Sequence, residues 1–214
     1  WGRETLGVTV NEFYGQTEAN LVVGNCAQIM VVQPGSMGRA VPGHMVEIVD
    51  DEGRELPAET VGNIAIRRPD PVMFLEYWRN PEATAETIRD GWLHTGDIAV
   101  RDADGCYSIL GRSKEMFISG GENVYPAEIE SVLLAHPEVL EAAVVSVPHE
   151  TWGEVGKAFV VVADGYEEED LRRFLGERLA RYKLPRSIVT IDALPLTAIG
   201  KIDKKLLASG EAEQ

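Results

Sequence analysis

The stretch that decides the fold is Gly111-Arg112-Ser113-Lys114-Glu115-Met116-Phe117-Ile118-Ser119-Gly120-Gly121-Glu122-Asn123-Val124-Tyr125-Pro126. It sets two cations, Arg112 and Lys114, ahead of a short apolar run, a glycine pair and a proline. Paired glycines permit backbone conformations and close approaches that a Cβ blocks. Pro126 lacks only an N–H that a first helical residue leaves unused, so it opens a helix. Read by itself, the stretch is a charged hairpin with a glycine turn. The chain changes character on either side of it.

Upstream, strands and turns dominate. Residues 45–49 and 62–66 are strand-like and flank the turn signal Asp50-Asp51-Glu52-Gly53. Residues 97–101 and 106–110 flank a second hairpin signal, Asp102-Ala103-Asp104-Gly105. Between them Asn80-Pro81-Glu82-Ala83-Thr84 opens a short helix, with Asn as cap and Pro at the first helical position. Downstream, the pattern alternates. Helices are expected over 126–135 and 167–182, the second with Leu171, Phe174, Leu175 and Leu179 as its apolar stripe. Strands are expected over 140–147, 157–163 and 187–191. The fold class is therefore α/β with α+β elements. A strand-rich part covers residues 1–112, and a small βαββαβ-like domain, with helices on one face of its sheet, covers 113–214. The end of the chain, 209–214, is expected to fray.

Three other polar segments interrupt the core pattern. Tyr14-Gly15-Gln16-Thr17-Glu18 follows a strand-like run at 7–13. That places a hydroxyl and a carboxylate at a strand's C-terminal end, where ligands collect in α/β sheets. Thr17 can donate to a phosphate oxygen, Glu18 can hold Mg²⁺, and Tyr14 offers a face for a base. Gly91-Trp92-Leu93-His94-Thr95-Gly96-Asp97 ends in a carboxylate able to accept two hydrogen bonds from a vicinal diol such as a ribose. Taken alone, Asp97 is a turn residue and His94 structural. Residues 194–205 place Lys201 on a loop between Gly and Pro breakers, where an ammonium can reach a reacting phosphoryl or carboxylate and leave again. Each segment alone has a bland structural reading.

Composition bounds the partners. The chain has 214 residues, 44% of them apolar and 26% charged, which excludes wholesale disorder and rod-like repeats. Its net charge of −15 argues against nucleic acid and anionic membranes as generic partners. No apolar run is long enough to cross a bilayer. Cys26 and Cys106 are too few for a disulfide framework or a four-ligand zinc site. Two thiols, and opening residues Trp1-Gly2-Arg3-Glu4 with no basic or apolar signal-peptide region, place the expected location in the cytoplasm. All six lysines lie from Lys114 onward; a compact ammonium is useful where a charge must approach phosphates, and drift in Arg/Lys usage on solvated faces is the bland reading and, by itself, the stronger one.

In this order and spacing, the four segments resemble the adenylate-forming superfamily, whose members include acyl-CoA synthetases, adenylation domains and luciferases. The run Tyr14 to Asn25 and Ser36-Met37-Gly38 look most like the acyl-CoA synthetase branch. The resemblance implies a reaction in which a carboxylate and ATP form acyl-AMP and pyrophosphate, and a thiol, usually of CoA, then takes the acyl group. It makes Thr17, Glu18 and Lys201 catalytic. Thr17 contacts the α-phosphate, Glu18 is the Mg²⁺ ligand and Lys201 bridges the reacting oxygens. It makes Tyr14, Gly15, Thr17, Asp97, Arg112 and Lys201 nucleotide-binding, Lys114 the hinge between two poses of the small domain, and Gly120-Gly121 the lining of the CoA channel. Many relatives carry Asp at the hinge; Lys is a known variant. The implied co-substrates are ATP, CoA and a small carboxylic acid, with Mg²⁺.

The family also carries a Ser/Thr/Gly-rich phosphate loop ending in Lys-Gly upstream of the Tyr14 segment, and none occurs here. The chain is therefore expected to be the C-terminal portion of a synthetase, inactive alone and partnered by a missing N-terminal portion. An adenylation domain serving a carrier protein is the enzyme rival. A non-catalytic binding module on the same scaffold is the alternative of another class. Residues 19–24 are the nearest candidates to touch the acyl group, and neither the acid nor the oligomeric state is legible.

Overall fold

The computed structural model describes residues 2–210. The chain forms two compact units, Trp1–Ser113 and Lys114–Gln214. Each has its own hydrophobic core.

The first unit is mainly antiparallel sheet. β1 (Phe13–Gln16), β2 (Ala19–Gly24) and β3 (Arg39–Ala40) form one sheet in that order. β4 (Val46–Val49), β5 (Val61–Arg67), β6 (Ile88–Arg89), β7 (Trp92–Arg101) and β8 (Tyr107–Arg112) form a second, ordered β4-β5-β7-β6 with β8 also on β7. The turn signals act as read. Asp50 Oδ1 accepts the N–H groups of Glu52 and Arg54, and Asp102 Oδ1 accepts that of Cys106. α1 (Pro81–Thr87) begins at Asn80, whose Oδ1 accepts the Ala83 N–H at 3.1 Å. Val22, Val23, Ile48, Ile64, Ile66 and Leu93 fill the core, each almost wholly buried.

Two expectations in this unit need correction. Residues 7–12 form no strand: their side chains are exposed and pairing starts only at Phe13. An apolar alternation with no neighbouring strand and no buried face has nothing to hold it extended. Conversely, β7 begins five residues earlier than expected. Trp92 and Leu93 pair with Arg67 and Ile66 of β5, and Gly96, at φ +74°, absorbs the irregularity between the two halves of the strand. Thr95-Gly96-Asp97 is thus a bulge inside a buried strand rather than a turn.

The second unit starts with a hairpin of β9 (Phe117–Ser119) and β10 (Glu122–Val124). α2 (Pro126–Leu134), β11 (Val139–His149), β12 (Gly153–Val162), α3 (Glu168–Gly176), β13 (Ser187–Thr190) and α4 (Lys204–Ser209) follow. The sheet is ordered β10-β9-β12-β11, with β13 parallel to β12. α2 and α3 cover one face: Ile129, Leu133, Leu171 and Leu175 pack with Ala142, Val144, Ala158 and Val160. The other face is also covered. Leu207 of α4 and Leu194 pack with Ala143, Val145 and Phe159. Helices on one face only was therefore too simple. Ala142 to Val145 is buried at every residue, and a strand without alternation needs cover on both sides. α3 ends at Gly176, shorter than expected, because glycine is a poor interior helix residue. α4 went unrecognised. Asp203 caps it by accepting the Lys205 and Leu206 N–H groups, and Gly210 closes it at φ +78°. Of the end expected to fray, Ser209 closes α4 with a hydroxyl bond to Leu206 O, and 211–214 lie outside the described residues. Among the described residues, no helix is long and apolar enough to cross a membrane.

Candidate active-site residues

In the first unit, two candidates, Tyr14 and Arg112, converge on the carboxylate of a third, Asp97. Asp97 lies opposite Arg112 across the β7–β8 ladder, and Arg112 Nε reaches Asp97 Oδ1 at 2.8 Å. The Tyr14 hydroxyl, 83 positions away, donates to Asp97 Oδ2 at 2.6 Å. Asp97 is 2% exposed. Its backbone N–H donates to Thr95 Oγ1, which itself donates to Ile64 O, so strand and side chain are braced together. Gln16 Nε2 donates to the Tyr14 hydroxyl and to Thr95 O. Burial and the neighbouring Asp97 push the Tyr14 phenol far above its ordinary value, so at neutral pH it keeps the proton that it donates to Asp97. The Tyr14 ring belongs to the core cluster, so its main visible task is to fix the Asp97 carboxylate.

The Tyr14 hairpin depends on Gly15. A Cβ there would lie 2.4 Å from Leu21 N, which lets β1 and β2 close on each other. The turn between them holds Thr17, exposed, and Glu18, half-buried. Glu18 Oε1 accepts the Tyr77 hydroxyl at 2.7 Å, a partner that sequence reading did not find. A carboxylate oxygen in that setting is a hard donor suited to Mg²⁺, which takes one or two carboxylates alongside phosphate oxygens. The acyl candidates at 19–24 lie on β2. Ala19, Val22 and Val23 are fully buried in the core, and only Asn20 and Leu21 are exposed. His94 is half-buried beside Arg89; burial first, and then that guanidinium, lower its affinity for a proton.

In the second unit, Lys114 is exposed in the short turn Ser113–Glu115. Gly120 and Gly121, at φ +60° and +90°, make the two-residue β9–β10 turn that requires positive φ at both positions. A Cβ on Gly120 would fall 2.5 Å from Trp152 Cε3, whereas one on Gly121 meets only open space. Gly120→Ala is expected to cost about 1–2 kcal/mol from backbone conformation alone, and more from displacing Trp152. Gly121→Ala should show the smaller loss. Chemical denaturation of both variants checks the order; equal losses would discount the Trp152 contact. Trp152 also walls a cavity of about 360 Å³ that Ser119, Tyr182, Arg181 and Arg186 help to line. The Arg186 guanidinium lies 5.7 Å from the Trp152 ring centre. Residues 152 and 181–186 carry no motif that a reading of residue types singles out. Lys201 is exposed on a hairpin closed by the Leu196–Ile202 bridge and by Thr197 N–H donating to Lys201 O at 2.7 Å.

Two family models match this chain. The AMP-binding enzyme model covers residues 1–78, and the AMP-binding enzyme C-terminal domain model covers 128–201. A fatty acid–[acyl-carrier-protein] ligase, ScoC of Streptomyces coeruleorubidus, is 43% identical over 213 residues, covering 95% of this chain and 41% of its own length. A 2-succinylbenzoate–CoA ligase of Bacillus cytotoxicus is 41% identical over 202 residues, covering 94% of this chain and 41% of its own. Among solved structures, the O-succinylbenzoate coenzyme A synthetase MenE of Bacillus subtilis in complex with AMP superposes with a TM-score of 0.87 at 33% identity. That match covers 96% of this chain and 42% of MenE. The chain belongs to the AMP-binding, adenylate-forming enzyme family, and within it is similar to acyl-CoA and acyl-carrier-protein ligases. It spans 41% of the length of these curated relatives.

Proposed function

We propose that these residues serve an AMP-forming acid–thiol ligase, as the part of it that follows a phosphate-loop portion. A carboxylate oxygen attacks the α-phosphorus of ATP, the bond to the β-phosphate breaks, and pyrophosphate leaves. The thiol sulfur of CoA then attacks the acyl carbon of the acyl-AMP, loses its proton and displaces AMP. Neither step needs a covalent enzyme intermediate, so the protein's task is positioning and charge.

The observation that carries this reading is the convergence of Tyr14 and Arg112 on the buried Asp97 carboxylate. A fixed carboxylate beside a guanidinium suits a ribose and its neighbouring phosphate. Thr17 contributes a hydroxyl to the α-phosphate and Gly15 lets the backbone close in. Glu18, oriented by Tyr77, is the residue that would hold Mg²⁺, which when bound offsets phosphate charge. Lys201 supplies the mobile positive charge to the reacting oxygens, and Lys114 is the turning point between half-reactions. Gly120-Gly121 and the aromatic, arginine-lined cavity beside them suit a thiol cofactor with a flat base and phosphates.

A second reading is favoured by the name of one relative: ScoC is a ligase for an acyl carrier protein, so a carrier-bound phosphopantetheine is the alternative thiol. Pyrophosphate exchange across a panel of carboxylic acids tests the first half-reaction in the protein that includes the phosphate loop. Thioester formation with free CoA against a carrier protein then separates the thiols. Absence of ATP and Mg²⁺ binding by calorimetry in that protein would sink the enzyme reading and leave the binding module.

A further inference from the structure

We propose that Lys204 is a positioning residue for Lys201, locking the base of the Lys201 hairpin to the turn that carries Lys114 through a paired contact with Glu115 and Glu130. What Lys201 then does rests on the ligase reading; that Lys204 holds its hairpin does not.

Lys204 is the first residue of α4, where the helix dipole disfavours a cation. Yet its side chain is only 26% exposed. Burying a long flexible cation at a helix start carries both an electrostatic and an entropic cost, so its partners must compensate. Its Nζ donates to Glu115 Oε2 at 2.6 Å and lies 2.9 Å from Glu130 Oε1. Glu130, on α2, also accepts the Val144 N–H of β11 at 2.8 Å, which ties it to the centre of the sheet. Burial alone would lower the Lys204 ammonium, but the two carboxylates outweigh it and raise it above its ordinary value. The cation therefore bridges three elements: the turn after Lys114, the helix α2 and the start of α4.

The hairpin needs such an anchor. Inside, it is well bonded: Gly200 N–H donates to Thr197 O at 2.9 Å, and Lys201 N–H to Thr197 Oγ1 at 3.2 Å. Its stem closes where Asp203 N–H donates to Pro195 O at 2.8 Å, one residue before Lys204. Its tip has little apolar burial to hold it, with Leu196 61% and Ile199 79% exposed. A hairpin rigid within itself but poorly packed is placed by whatever grips its base. Leu207 grips from the core side and Lys204 from the polar side. The neighbouring Lys205 is exposed and makes a control.

Amide hydrogen exchange on this chain reads the anchor directly. Lys204→Met and Glu115→Gln are each expected to speed exchange at Thr197, Gly200, Lys201 and Asp203 by on the order of tenfold, leaving β11 and β12 amides unchanged. Lys204→Arg should restore most of the protection, and Lys205→Met should change nothing. Unchanged hairpin exchange in Lys204→Met, or an equal rise across the whole second unit, overturns the proposal. In the ligase with its phosphate loop, Lys204→Met should lower acid activation on the order of tenfold while conversion of supplied acyl-AMP to thioester holds. A loosened hairpin with full activation would overturn the positioning of Lys201 for activation while leaving the anchor itself supported. If the unaltered protein activates no acid, the ligase reading fails, and the exchange result still decides whether Lys204 anchors the hairpin.

Discussion

On the ligase reading, in the protein that includes the phosphate loop, replacing Lys201 by alanine is expected to lower acid activation by about 10²–10³-fold, while thioester formation from supplied acyl-AMP stays within a few-fold. The asymmetry follows from the charges. In activation, a carboxylate must approach a triphosphate, and negative charge on the transferring oxygens has to be met in place. In the thioester step, the attacking group is a thiol and the leaving group is AMP already formed, so Lys201 has no corresponding task. Lys201 is exposed on a closed hairpin and lines no core, so its loss should leave unfolding unaffected. Pyrophosphate exchange measures the first half and a single-turnover thioester assay the second. Equal losses in both would show that Lys201 does not act selectively on activation.

Asp97→Ala is the second large effect, and here stability and binding fall together. Tyr14 is 8% exposed and its hydroxyl donates to Asp97. Removing the acceptor leaves a phenol buried among apolar neighbours, a loss of roughly 1–3 kcal/mol. Arg112 adds little to that loss, because its side chain is 53% exposed and can turn to water. Combining Asp97→Ala with Tyr14→Phe removes both partners and should recover most of the stability. It should not recover nucleotide affinity, since the carboxylate is still gone. Urea unfolding of this chain, and calorimetry with ATP on the same substitutions in the protein that includes the phosphate loop, separate the two. If the double variant is no more stable than Asp97→Ala alone, the orphaned hydroxyl is not the cause.

The sequence made some of this legible and hid the rest for physical reasons. Turns and caps are local: Asp50, Asp102, Asn80-Pro81 and Gly120-Gly121 act through atoms a few residues away, and each does as read. Pairings between distant strands are not local. That Tyr14 meets Asp97 depends on how two separate sheets meet, and residue spacing carries no record of it. The extent of β7 was hidden because Thr-Gly-Asp has the composition of a turn, and the same residues make a bulge once Trp92 and Leu93 are buried. The short α4 was hidden by its lysines, which look like a solvated tail until Glu115, 89 positions earlier, is brought to Lys204. Trp152, Tyr182 and Arg186 share a cavity only because β12 runs beside β9 and β13.

β12 meets three strands, and this makes it the ruler of the second unit. Its side chains alternate between faces, so Ala158 and Val160 serve α2 and α3 while Phe159 serves α4. The cavity wall at Val155, and at Trp152 just before the strand, is counted off along the same scale. One residue inserted between Trp152 and Phe159 would put the wall and the Lys201 support out of phase, with every partner strand forced to choose one of them. Two inserted residues would keep the phase but lengthen the gap. Change in this unit is therefore hardest within β12, where the Trp152 cavity and the support of the Lys201 hairpin share one scale.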